Sequence, residues 1–83
     1  MKYIKKPIEI EAIQFTGNNF DEIKSFTNNL AYRICSPFKN YCCIPTLEGD
    51  HMAKEGDYII KGIEGEFYPC DEEIFKKTYD KIS

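Results

Sequence analysis

The chain has no tryptophan, one histidine (His51) and, among its eleven cationic side chains, one arginine (Arg33). Each shortage narrows the possible functions. A surface that binds duplex nucleic acid needs a basic face that displaces counterions from phosphate. Here the net charge is −3 and most lysines are interleaved with acids, so the only small basic cluster is Lys2, Lys5 and Lys6. The balance argues against nucleic acid as a partner. No apolar run approaches the roughly 18 residues of a membrane span. The opening MKYIKKPIEIEA has no signal-peptide core either, because Glu9 and Glu11 interrupt it. The expected location is the cytoplasm of a bacterial host, away from the membrane.

Metal and catalytic patterns are also missing. Four cysteines, Cys35, Cys42, Cys43 and Cys70, include no C-x-x-C pair. Cys42 and Cys43 are adjacent, so on a strand they point to opposite faces and cannot share one ion. In a reducing cytoplasm the four are expected as free thiols that behave as small hydrophobes. Glu48, Asp50, His51, Glu55 and Asp57 crowd one segment, but they lack the alternate-acid spacing, central glycine and distal glutamate of a calcium loop. The plainer reading is a solvated loop in which Asp57 caps a turn. His51 with Cys42 or Cys43 could suggest a thiol hydrolase, but the cysteines lie in an aromatic and aliphatic run rather than an electropositive one. With no phosphate loop and no triad, the expectation is a non-enzymatic protein with no catalytic residue, no metal and no cofactor.

What the chain does have is bulk. Apolar residues make up 42% and include six phenylalanines and six tyrosines, enough to exclude disorder and to fill a small core. Eighty-three residues make one domain, 1–83. IEIEAIQF, Ile8 to Phe15, alternates as a strand. Its apolar phase switches near Glu11, which means either a bulge there or a far end buried on both sides. Asn19 and Glu22 have capping-box spacing for a helix to about Asn28, with Ile23 and Phe26 on its apolar side and Phe20 and Leu30 at the edges. Asn28 and Asn29 supply the stop. AYRIC and KNYCCI are short strands divided by Ser36 to Phe38, and Leu47 to Asp50 reads as a turn. His51 to Asp57 reads as a loop or a weak edge strand. YIIK and EFYPC form a hairpin across GIEG, whose glycines Gly62 and Gly65 allow positive φ. Cys70 or Asp71 then caps a helix that shows Ile74, Phe75, Thr78, Tyr79 and Ile82 on one side. The expected class is α+β in the order β-α-β-β-β-β-α: a mainly antiparallel sheet, or a partly open barrel, with two helices.

MKYIKKPIEIEAIQF and EGDYIIKGIEGEFYPCDEEIFKKTY, with TLEG at Thr46 to Gly49, resemble a group of small phage and prophage proteins called PGDYG-like after a central motif. The resemblance covers both ends of the chain but not Leu30 to Tyr41. One departure is Glu55, which stands where the family has a proline that presets a turn. The resemblance implies a viral or prophage origin and a fold. It implies no chemistry, so no catalytic residue is carried over.

Binding is therefore the expected activity. Tyr3, Tyr58 and Tyr68 offer rings and hydroxyls at low entropic cost. Lys5, Lys6, Arg33 and Lys61 could grip an anion. The leading expectation is an accessory protein that holds a host protein or small molecule, by analogy to counter a bacterial defence system. The alternatives are a homo-oligomeric sponge for a small anionic nucleotide ligand, and a minor virion or assembly component.

Overall fold

The computed structural model describes residues 1–3, 8–35 and 40–81. Its elements run β1 (Glu11–Gln14), α1 (Phe20–Phe26), β2 (Tyr32–Cys35), β3 (Asn40–Thr46), β4 (Gly49–Ala53), β5 (Tyr58–Lys61), β6 (Phe67–Cys70) and α2 (Glu72–Thr78). The α+β class, the antiparallel pairing and both helices are as the sequence implied. His51 to Ala53 takes the strand option as part of β4, which brings the strands after α1 to five. The strands form two separate three-stranded sheets, β1-β5-β6 and β2-β3-β4, rather than one sheet or a barrel. Ser36 to Phe38 and Ile82 lie outside the described residues.

The core lies between the first sheet on one side and α1 with the second sheet on the other. β1 sends Ile13 into it and the residue just after the strand sends Phe15, α1 sends Ile23, Phe20 and Phe26, and the second sheet sends Cys42, Ile44 and Ala53. Ile59 and Phe67 complete it from β5 and β6, and the rings of Phe26 and Phe67 meet edge to face at 5.8 Å. The register Glu11↔Lys61 to Gln14↔Tyr58 is unbroken, so the phase switch in IEIEAIQF is not a bulge at Glu11. It is closer to the second option, at the far end only: Ile13 and Phe15 are covered by the core and Gln14 partly by the α2 side, while Ala12 stays exposed. Leu30, placed at the edge of the α1 apolar side, is instead half exposed, because the chain leaves the helix before reaching it.

The turns explain where elements stop. Asn28 and Asn29 adopt φ of 56° and 66°, left-handed values that asparagine tolerates better than most residues, and α1 ends just before them. The capping box does not form. Asn19 accepts from the Thr16 amide at 2.9 Å and donates to the Gln14 carbonyl at 2.7 Å and to the Glu22 carboxylate at 3.0 Å, so its side chain closes the preceding turn and meets Glu22 but caps no helix amide. Between β4 and β5 the Asp57 amide donates to the Lys54 carbonyl at 3.0 Å, and Gly56 takes φ of 96°, the positive value type II turns require at this position. Gly56 and Asp57 together oppose Phe15, donating to and accepting from it at 2.7 and 2.8 Å respectively. The extra residue of a bulge therefore sits here.

Candidate functional site

α2 is short and has no buried residue, so it stays on the sheet through a few specific contacts. Asp71 is its N-cap and accepts from the Glu73 and Ile74 amides at 3.0 and 3.3 Å. Those two bonds and the nearby Lys54 ammonium hold the Asp71 carboxyl below its ordinary range, the Ile74 amide contributing most. Lys54 reaches Asp71 at 3.4 Å and Asp57 at 3.2 Å, so one ammonium joins the β4–β5 turn to the start of the helix. The Gln14 amide nitrogen donates to the Gly56 carbonyl at 3.1 Å and to the Glu72 carboxylate at 3.2 Å, clamping α2 from the other side. The Asp57 carboxylate also accepts from the Lys54 amide at 3.0 Å, as expected of a turn-capping aspartate.

Aromatic stacking fixes the rest of the helix. Tyr58 and Phe75 lie face to face, centroids 3.9 Å apart and planes 8° apart, and Tyr79 continues the stack at 5.0 Å from Phe75. Such a pair contributes about 0.5–1.5 kcal/mol beyond the area it buries. Ile74, placed on the docking face by the sequence pattern, is 59% exposed, because the stack turns Phe75 and Tyr79 inward instead. Tyr68 sits half-buried on the same face of the sheet. Burial, and then the neighbouring Tyr79, push its hydroxyl pKa up.

Beside this stack is a cleft of about 890 Å³. Ala12, Gln14 and Tyr58 form part of its lining with Ile8 and Ile10 from the approach to β1, and Phe75, Thr78 and Tyr79 line it from the helix. Among the described residues the charged groups in the lining are Glu9, Glu11 and Asp80 against Lys81, and Lys61 approaches Glu11 from the other face of the strand. The result is an apolar and aromatic floor with a predominantly acidic rim. That arrangement suits an apolar side chain flanked by cations and repels a polyanion.

The residues singled out in the sequence are dispersed. Tyr58 lines the cleft and Tyr68 lies on the same sheet face. Lys61 points to the opposite face, where it approaches Glu11 at 4.0 Å. Arg33 lies on the second sheet, its guanidinium 5.3 Å from the centre of the Phe20 ring, across the core from Tyr58. Tyr3 is highly exposed. Lys5 and Lys6 lie outside the described residues. Phe75, Tyr79, Glu9 and Asp80 were not singled out. Phe75 and Tyr79 stood in the helix pattern as packing residues, and the sequence held no sign that they also border a cleft.

Cys42 and Cys43 are buried on opposite faces of β3 and are free thiols, as is half-buried Cys70; the Cys35 side chain is not among those described. Burial, and then the charge of Cys43, push the Cys42 thiol to about 11. Tyr32 extends from β2 over Cys43 and donates to the Asp50 carboxylate on β4 at 2.6 Å, which raises the Tyr32 pKa well above its usual value. His51 is exposed and pairs across the ladder with Ile44, not with a cysteine. Among the described residues no three His, Cys, Asp or Glu side chains gather as a metal site, and no helix is long and apolar enough to cross a membrane. Comparison with protein-family models, with curated proteins and with solved structures returns no match.

Proposed function

We propose that this chain is a non-enzymatic accessory protein of phage or prophage origin that acts by holding a host protein, and that it does so to counter a bacterial defence system. The observation that carries the binding role is the acid-rimmed aromatic cleft between the approach to β1 and α2. The origin rests on the PGDYG-like motifs at the two ends of the chain, and the defence role on analogy with other small accessory phage proteins. The cleft is large enough for a small molecule as well. Among the described residues its three carboxylates outnumber Lys81 even with Lys61 approaching Glu11, which favours a cationic protein surface over an anionic nucleotide, and the candidate cation Arg33 lies away from it.

Two measurements test this reading together. Affinity capture from bacterial lysate should return one stoichiometric host protein with the parent chain and lose it with the Glu9→Lys/Asp80→Lys double variant, whose exposed substitutions leave the core untouched. Native mass spectrometry of the purified chain should show no small-molecule cargo. A defined oligomer carrying a nucleotide would overturn the proposal in favour of the sponge, and incorporation into purified virions would overturn it in favour of an assembly role.

A further inference from the structure

The form of the partner can be taken one step further, on the premise that the binding role just proposed is correct. β1 is an edge strand, with β5 on one side and no strand on the other among the described residues. Phe15 exchanges backbone hydrogen bonds with Gly56 and Asp57. Backbone groups of an antiparallel strand alternate between its two sides. Glu11 and Ile13 therefore bond toward β5, while Ala12 and Gln14 direct their amides and carbonyls outward. The Gln14 carbonyl is taken by the Asn19 side chain, which leaves Ala12 as the position with both groups open among the described residues. The same strand borders the acidic cleft, to which Ala12, Gln14, Glu9 and Glu11 all contribute.

We propose that an extended partner segment with lysine or arginine at alternate positions adds to the outer edge of β1 as a fourth strand of the first sheet. Open strand edges are templates for such addition. The added strand would bond to the outward amide and carbonyl of Ala12, and its basic side chains, which alternate and so share one face, would lie on the Glu9 and Glu11 side of β1. Charge selects this occupant. An acidic segment would be repelled, and a second copy pairing β1 against β1 would bring Glu9 and Glu11 near their own counterparts. The opposite edge of this sheet does not offer the same template. On β6 the bond between the Gly62 amide and the Glu66 carbonyl places Pro69 among the outward positions, and proline has no amide to donate.

The probe is a short acetylated and amidated peptide of alternating lysine and valine, titrated against the full chain with amide exchange as the readout. Saturable binding is expected, with the Ala12 amide slowed about tenfold or more, and a glutamate-for-lysine peptide should not bind. Ala12→Pro removes the outward donor and leaves the β1–β5 ladder intact, so it should weaken the lysine peptide about fivefold or more with an unchanged unfolding midpoint. If Ala12→Pro does not fold, Glu9→Lys carries the test through the same loss of affinity. No saturable binding, equal binding of both peptides, or binding that leaves Ala12 exchange unchanged would each overturn strand addition. Concentration-dependent protection of Ala12 in the chain alone would overturn it as well, by showing that a second copy holds the edge. A lysate partner retained undiminished by Ala12→Pro would refute strand addition while leaving the binding role intact.

Discussion

Thr27 shows how much one hydroxyl can carry in a small core. It is fully buried, donates to the Ile23 carbonyl at 3.0 Å and accepts from the Ala31 amide at 3.1 Å. It therefore closes the last turn of α1 and pins the chain that enters β2. Thr27→Val preserves the shape but leaves the Ala31 amide without a partner in a dry environment. The expected cost is about 1–3 kcal/mol, seen as a lower urea midpoint at unchanged slope, with Thr27→Ser closer to the parent. Nothing in the local sequence marks Thr27, since an uncharged threonine after a helix is usually exposed. Asn19 shows the converse. Its spacing to Glu22 fits a capping box and the two side chains do meet, yet the Asn19 oxygen accepts from Thr16 and not from a helix amide, because the tight turn out of β1 offers a closer donor.

At the scale of elements, α2 is the least independent part of the fold. It buries no residue and is too short to be helical alone, so its stability comes from the Asp71 cap, the Gln14 and Lys54 clamps and the Tyr58–Phe75 stack. Because the Asp71 carboxyl is held below its ordinary range, its contribution is fully present above the unfolded carboxyl value of about 3.9. It is lost as pH falls through the lower folded value. Amide exchange at Ile74 should therefore accelerate, relative to intrinsic rates, on acidification below about pH 4. Asp71→Asn, which keeps a capping oxygen without the charge, should remove that part of the pH dependence. A parent chain whose Ile74 protection is flat through this range would show that the cap's charge does not hold the helix. The cap was narrowed by the sequence to Cys70 or Asp71, and the fold takes Asp71. The two clamps were not legible, since Gln14 and Lys54 reach α2 from far along the chain.

At the scale of the molecule, two sheets and a helix enclose Cys42 on one face of β3, while Tyr32 covers Cys43 on the other. Both thiols should resist a thiol reagent in the native state and react at a rate that tracks global unfolding, with half-buried Cys70 modified before either of them. The Cys42 pKa is raised to about 11, above the ordinary cysteine value of about 8.5. The folded chain thus keeps a proton there that the unfolded chain gives up. The associated stability is present below the unfolded value and declines as pH rises from it toward the folded one. Unfolding midpoints measured up through this alkaline range should fall, and a Cys42→Ala variant, whatever its stability at neutral pH, should fall less. Rapid native labelling of Cys42 would mean that the core is not closed around β3.

Alternation, turn residues and charge spacing along the chain were enough to set the α+β class, the C-terminal hairpin, the Asn28–Asn29 stop, the start of α2 to within one residue and the placing of Cys42 and Cys43 on opposite faces of one strand. These are local matters, governed by which backbone conformations and which side of a strand a residue can take. The division into two sheets, the strand identity of His51 to Ala53 and the cleft beside β1 were decided only in three dimensions. Each depends on which distant segments pair or stack, and that choice is made by the total burial of the core and by contacts such as Gln14 with Glu72 and Tyr58 with Phe75, which bring together residues that are neighbours nowhere along the chain.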